Sequence, residues 1–330
     1  MKKRKKESML LSEYLDSVFA VYEEKVEDSG EDSYIYSTAD KAAFLAVCDG
    51  CGGLGSLTYP EWGGRTGAYM ASRAVSFSLE KWFDSVYEKG SFFSENDSEL
   101  ITESIHNGYT MLENIERPVS KIKGAMVRPF PTTLAAVLIK RISNKLALKA
   151  IWAGDSRVYC LSVKGLVQLT IDDIYGEDAL SNLTRDGALT NVISSDGNYE
   201  IHSDTFEMDI PCVVVAATDG CFGYIPTPMH FEYMLLVCLC NSTSYTDWKE
   251  NIGKCLKEIS GDDATMCVAV FGEKSFSEMK NSFFERKMFL EEKYIMPLED
   301  SDDHIVQTLW SEYKTGYYSM LKEEKRRLYL

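Results

Sequence analysis

The chain has 330 residues, 45% of them apolar, enough for a sizeable core in one large domain or two ordinary ones. Thirty-five Lys and Arg stand against 51 Asp and Glu, a formal charge of −16. Such a surface repels phosphate backbones and anionic lipid, which excludes nucleic acid and membrane as general partners.

Lys2 to Lys6 open the chain with a basic run. The residues that follow are interrupted by Glu13 and Asp16, so no apolar signal core forms, and 1–14 reads as a solvated basic tail. No stretch has the length of a membrane span. Nine cysteines (48, 51, 160, 212, 221, 238, 240, 255 and 267) lack disulfide-framework spacing. With no export signal, free thiols and a cytoplasmic location are expected. Cys48 and Cys51 have a zinc-like spacing, but two further ligands are missing and Cys238 and Cys240 are spaced poorly for the purpose.

Residues 17–22 and 33–38 read as strands around the polar turn 27–32, and the apolar run 43–48 reads as a buried strand. A loop over 54–61 leads into a helix over 64–87, where Ala68, Ala71, Val75, Leu79 and Trp82 recur at helical spacing. A second helix is expected over 98–116. Short strands follow at 133–139, 145–153, 156–162 and 166–170, then an irregular surface insertion over 172–198. Strands at 201–208 and 212–217, helices at 229–240 and 246–259, and a strand at 264–271 complete the series. Runs of strands separated by pairs of helices fit an α+β architecture of stacked antiparallel sheets with flanking helices, rather than alternating α/β. After Gly272 the chain becomes charged, aromatic and helical over 275–297 and 303–329, divided by Pro297 and the acidic run 299–303. This segment reads either as a helical hairpin packed on the domain or as a partner-binding appendage. The expected division is a tail at 1–14, a catalytic domain at 15–272 and a helical extension at 273–330.

Carboxylates punctuate the apolar runs. Asp49 follows 42–48, Asp155 follows 150–154, Asp219 follows 213–218, and Asp262 precedes 264–270. Asp-Gly is foremost a turn signal, and the dipeptides at 186–187 and 196–197 sit in polar stretches as plain turns. Those at 49–50 and 219–220 end core strands instead. An acid at the edge of a core strand is costly unless neutralised, and several together call for a hard cation.

In sequence order, Asp49-Gly50-Cys51-Gly52-Gly53, Thr132-Thr133, Gly154-Asp155-Ser156-Arg157, Thr218-Asp219-Gly220 and Asp262-Asp263-Ala264-Thr265, with Gly30-Glu31-Asp32 ahead of them, form a set. The set resembles the motifs of the metal-dependent protein serine/threonine phosphatases of the protein phosphatase 2C (PPM) family, with a spacing closer to bacterial members. The resemblance spans residues 15–272. It implies a four-layer α-β-β-α sandwich and a binuclear Mn²⁺ or Mg²⁺ centre. By motif position Asp49 would bridge both ions with the Gly50 carbonyl as a further ligand. Asp219 and Asp262 would hold one ion, Glu31 would orient water on the other, and Asp155 would reach a third, weaker ion. Asp49, Asp219 and Asp262 would be the catalytic set, and the glycines at 50, 52 and 53 would let backbone pass closely. Phosphoserine or phosphothreonine on a protein would be the substrate, with a cognate Ser/Thr kinase as the opposing partner.

Rival chemistries lack their residues. None of the nine cysteines has an Arg six positions later, and His106, His202, His230 and His304 lie outside every acidic motif, as surface or packing residues. Two positions depart from the family pattern. Glu27 stands where the phosphate-holding Arg is usual, leaving Lys25, Arg65 or Arg128 as candidate replacements. Cys51 stands where a His often protonates the leaving group, leaving a thiol that either acts as general acid or simply packs. These departures sustain a second reading, a low-activity metal-binding regulatory module whose C-terminal helices bind a phosphoprotein or kinase. If the C-terminal segment is an appendage, deleting 275–330 is expected to leave small-substrate turnover largely intact.

Overall fold

The computed structural model describes residues 10–113, 128–175, 178–184, 187–272, 275–299, 301–327 and 329. In chain order the first strands are β1 (Leu15–Glu23), β2 (Ser33–Thr38) and β3 (Ala42–Cys48), followed by a small hairpin of β4 (Thr58–Tyr59) and β5 (Arg65–Thr66). Helices α1 (Gly67–Glu88) and α2 (Asp97–Glu113) come next; the expected end of the second helix at 116 lies outside the described residues. Then follow β6 (Leu134–Ile142), β7 (Lys145–Ala153), β8 (Arg157–Ser162), β9 (Gly165–Gln168), the short α3 (Ala179–Thr184), β10 (His202–Asp209) and β11 (Cys212–Ala217). The chain continues through α4 (Pro228–Cys240), α5 (Tyr245–Ile259), β12 (Ala264–Phe271) and α6 (Phe276–Leu290). A π-helical turn (Glu291–Ile295) leads to α7 (Met296–Leu298), α8 (Asp303–Tyr317) and α9 (Glu323–Arg326).

Two five-stranded sheets form, in the orders β1-β12-β11-β8-β9 and β10-β7-β6-β3-β2, and every pairing is antiparallel. Three apolar clusters make the layers. One lies between the sheets, where Leu45, Val137 and Leu148 meet Val214 and Ala269. A second joins α1 and α2 to the outside of the β3–β6 sheet through Phe44, Leu79 and Phe83. The third covers the β11–β12 sheet with α4, α5 and the C-terminal helices. The α+β, four-layer sandwich expected from the sequence is therefore the observed architecture. β3, β11 and β12 are buried along their whole length because both of their faces are covered.

The register gathers the acid-bearing turns. Ser33 pairs with Cys48, Val47 with Ala135, and Leu134 with Ala153, so the start of β2 and the ends of β3 and β7 share one rim. In the other sheet Ala217 pairs with Met266 and Arg157, and Ala264 with Glu23. Each acidic motif begins one or two residues beyond such a rim position. Antiparallel pairing thus carries turns far apart in sequence to one end of the sandwich.

The C-terminal segment is part of the core. Met279, Phe283, Leu290 and Trp310 are buried in the cluster that holds Tyr159 and Phe231. Polar ties reinforce it: the Tyr317 hydroxyl donates to Gln168 Oε1 (2.8 Å), and the Tyr313 hydroxyl to Glu232 Oε2 (2.6 Å). Arg286 grips the same fully buried Glu232 at 2.7 and 2.8 Å, a pair whose carboxylate is satisfied only while all three groups are present. Phe283→Ala is therefore expected to destabilise the fold by about 3–5 kcal/mol in urea unfolding. Deletion of 275–330, which strips the cover from this sheet, should give aggregated protein. A truncated chain that stays folded with unchanged turnover would restore the appendage reading.

Candidate metal centre

At the acidic rim a cleft of ≈ 490 Å³ is lined by Glu31, Asp49, Asp155, Asp219, Asp262 and Asp263, with the Gly50–Leu54 turn, Thr133 and Leu189 completing the wall. Every carboxylate that the motifs single out for metal binding thus borders one space.

Asp49 is held through its backbone. Its carbonyl accepts from the Thr132 hydroxyl (2.6 Å) and the Thr133 N–H (2.8 Å), while its N–H donates to Thr133 Oγ1 at 3.3 Å. The Thr133 hydroxyl also meets Ser156 Oγ at 2.7 Å, which joins the Asp49 turn to the Asp155 turn. On the other sheet the Thr218 N–H donates to the Thr265 carbonyl, its hydroxyl accepts from the Thr265 N–H at 2.9 Å, and the same hydroxyl donates to Asp32 at 2.8 Å. Asp32 is buried behind the cleft rather than lining it. Asp263 accepts from the backbone N–H groups of Lys25 (2.8 Å) and Glu31 (2.7 Å) and so fastens the Glu31 loop to the start of β12. The Thr66 hydroxyl, whose oxygen also caps α1, donates to the Glu31 carboxylate.

Glycines permit these approaches unequally. A Cβ at Gly50 would stand 2.7 Å from the carbonyl oxygens of Ala68 and Glu31, and one at Gly220 would collide with the Asp263 carbonyl. At Gly52 the obstacle is the Glu31 carboxylate itself, whereas nothing lies within 4 Å of a Cβ at Gly53. Close passage therefore explains Gly50 and Gly52 but not Gly53.

The charges crowd. Desolvation in the cleft pushes the Asp49 carboxyl well above the ordinary carboxylate range, and the charges of Asp32, Asp219 and Asp155 push the same way. Asp155 is driven up to about 8, first by desolvation and then by Asp219. Glu31 and Asp262 also rise, each chiefly by desolvation. Among the described residues no ion pair relieves Asp49, Asp155, Asp219 or Asp262. Arg157, two residues from Asp155, is instead paired with Asp172 at 2.6 Å. Negative oxygen donors crowded together without a protein cation fit a hard divalent ion. Among the described residues no three His, Cys, Asp or Glu side chains converge tightly enough to hold one ion by themselves.

Cys51 lies at the cleft, half-buried, and desolvation together with the Asp49 charge pushes its thiol up. The three candidate phosphate-binding cations lie outside the cleft wall. Lys25 is exposed with Nζ 3.5 Å from the Ser260 carbonyl, Arg65 donates to the Asp28 carbonyl and stacks on Tyr69, and Arg128 donates to the carbonyls of Val192 and Asn198. Sequence reasoning left three groups without a role. Asp263 had a signal, as the second acid of its motif; Thr66, inside the expected helix 64–87, and Asp173, described below, had none.

No protein-family model and no curated protein matches the chain. Solved structures do. The Mycobacterium tuberculosis serine/threonine phosphatase PstP/Ppp is similar at 16% identity and a TM-score of 0.51, over 79% of this chain and 100% of that one. Serine/threonine phosphatase Stp1 from Staphylococcus aureus is similar at 16% identity and a TM-score of 0.55, over 83% of this chain and 100% of that one. A C. elegans sex determining protein is similar at 16% identity and 0.58, over 81% of this chain and 67% of that one. The chain has the protein phosphatase 2C-type fold.

The glycine contacts separate two outcomes. Gly220→Ala, facing immovable backbone, should cost about 1–3 kcal/mol in thermal or urea unfolding. Gly52→Ala, facing only a mobile carboxylate, should cost under about 1 kcal/mol while displacing Glu31. Equal losses in the two variants would contradict this assignment.

Proposed function

We propose that this protein hydrolyses phosphoserine and phosphothreonine on proteins at a divalent-metal centre. One observation carries the reading: carboxylates from five separate turns border a single cleft, and among the described residues no Lys or Arg pairs with the four aspartates proposed as ligands. Asp49, Asp219 and Asp262, with the Gly50 carbonyl, would hold two Mn²⁺ or Mg²⁺ ions, Glu31 would orient water on one of them, and Asp155 would reach a third. Bound there, such ions supply an activated water for in-line attack and neutralise the phosphoryl oxygens.

The rest is the work of this chain's own residues. The six acids, with no basic residue among the described residues lining the cleft, make the bare surface repel a phosphate dianion. Phosphate recognition through the wall itself is therefore weak. The threonine clamps at 132–133 and 218 fix backbone, which keeps the acid-bearing turns in place. Cys51, held as a neutral thiol, retains a proton at the cleft wall and is the candidate donor to the leaving alkoxide.

The second reading, a regulatory module that binds metal and a phosphoprotein or kinase without turnover, draws on the same wall. No guanidinium lines the cleft, and a strongly raised thiol is a poor acid. The two are separated by incubating purified full-length chain and Asp219→Asn with a phosphothreonine peptide across a Mn²⁺ titration. Phosphate release that requires Mn²⁺ and falls at least ~100-fold in the variant is expected, since even outer partners of metal ligands are worth ~10–100-fold. Metal binding without release at any Mn²⁺ level would leave the regulatory module.

A further inference from the structure

Behind the Gly154–Asp155 turn lies a hydrogen-bonded hub centred on Asp173, outside the acidic motifs named above. Asp173 grips Gly154 from both sides of the peptide: its N–H donates to the Gly154 carbonyl (2.9 Å), and its Oδ2 accepts from the Gly154 N–H (3.0 Å). Gly154 has φ +96°, and a Cβ there would stand 2.7 Å from Thr133 Cγ2. The turn is therefore pinned between Thr133 on one side and Asp173 on the other.

The same residue reaches the loop opposite. Asn191 Nδ2 donates to Asp173 Oδ2 at 2.6 Å, and the Thr190 N–H donates to the Asp173 carbonyl at 2.8 Å. That loop carries Leu189 into the cleft wall, and at Ile193 it exchanges two backbone hydrogen bonds with Thr132, the residue that clamps Asp49. Asp173 thus ties together three parts of the wall.

The remaining oxygen, Oδ1, meets His202 Nε2 at 3.0 Å. His202 opens β10, directly opposite Trp152 of β7 in register, and its ring packs on the indole with centroids 5.4 Å apart. Trp152 lies two residues before Gly154. The imidazole is thereby aimed by the strand that leads into the turn. The bond to Asp173 lifts its pKa, with Glu200 assisting and desolvation and Lys325 opposing.

We propose that Asp173, oriented by His202, is a positioning residue that fixes the Gly154–Asp155 turn and so aims the Asp155 carboxylate at the wall shared by the acidic cleft and the adjoining cleft beside Arg157. The inference rests on the metal-centre reading of Asp155. Outer partners that hold a ligand are worth ~10–100-fold in metal affinity, and a carboxylate on a glycine turn with no second tether would lose that aim.

The test is calorimetric Mn²⁺ titration of the full chain as wild type, Asp155→Asn, Asp173→Asn, His202→Ala, His202→Gln and the Asp155→Asn/Asp173→Asn double variant, each paired with a thermal melt in chelator. Asp155→Asn identifies the binding step that depends on Asp155. Asp173→Asn and His202→Ala should weaken that step ~10-fold, and His202→Gln, whose amide N–H donates to the same oxygen, should restore most of it. The double variant should bind no more weakly than Asp155→Asn alone, because the two residues act on one contact. Variants that melt lower yet bind Mn²⁺ as wild type does would show a merely structural hub and overturn the proposal. Additive losses in the double variant would overturn it as well. A wild-type chain that binds no Mn²⁺ overturns the metal-centre reading itself, and this inference with it.

Discussion

Mutual repulsion among carboxylates at one rim of the sandwich is the constraint around which the rest of the molecule is arranged. Asp155 and Asp219 are close enough to raise the proton affinity of Asp49, and Asp219 that of Asp155, and none of the three has a guanidinium or ammonium partner among the described residues. Left to relax, turns bearing such charges would splay apart. They are held by bonds that bypass the carboxylates: threonine hydroxyls on the Asp49 carbonyl and the Thr265 N–H, and the Thr133–Ser156 contact between two turns. Asp263 and Asp173 extend the same logic, each using its carboxylate on backbone N–H groups of a neighbouring turn. The site is a frame of hydrogen bonds, made by groups other than the cleft's proposed ligands, that keeps like charges together.

Such a frame needs a stiff scaffold, which explains the position of the C-terminal helices. The β11–β12 sheet supplies Asp219 and Asp262, and its outer face is covered by α4, α5, α6 and α8. Glu232, Arg286 and Tyr313 form a buried polar knot in that cover, and Tyr317 reaches Gln168 beside it. Gln168 and Asn182 both touch Asp172, the partner of Arg157, so polar contacts run from α8 to the residue two positions after Asp155. Stability and site geometry are coupled through shared contacts, not merely through a shared fold.

Much of this was legible in the letters because the core strands are buried on both faces and read as unbroken apolar runs. Residues 33–38, 145–153, 212–217 and 264–271 match β2, β7, β11 and β12 to the residue, and β3 begins one residue before its expected bound. The acids at those strand ends followed directly. The β4–β5 hairpin did not, because two-residue strands carry no periodicity to detect. The C-terminal segment was ambiguous for a related reason. Its charged and aromatic spacing describes a helix face, while the groups that face meets, such as Gln168 and Glu232, lie far away in sequence. Asp173 and His202 were invisible because neither ends an apolar run, and their meeting depends on tertiary approach alone.

The two departures from the family pattern take on a common physical meaning in the folded chain. Glu27 adds no positive charge, and Lys25, Arg65 and Arg128 are each occupied with backbone carbonyls away from the cleft wall. Cys51 contributes a thiol kept neutral by its surroundings rather than a cationic imidazolium. Both changes remove positive charge from a wall already carrying six acids. Under the proposed function, attraction for a phosphoryl group would come mainly from what the carboxylates hold, because no basic residue lines the cleft among the described residues. A site of that kind would make recognition and activation of the phosphate depend on one set of ligands. Any residue that merely aims those ligands, as Asp173 is argued to do, then bears on binding and turnover together.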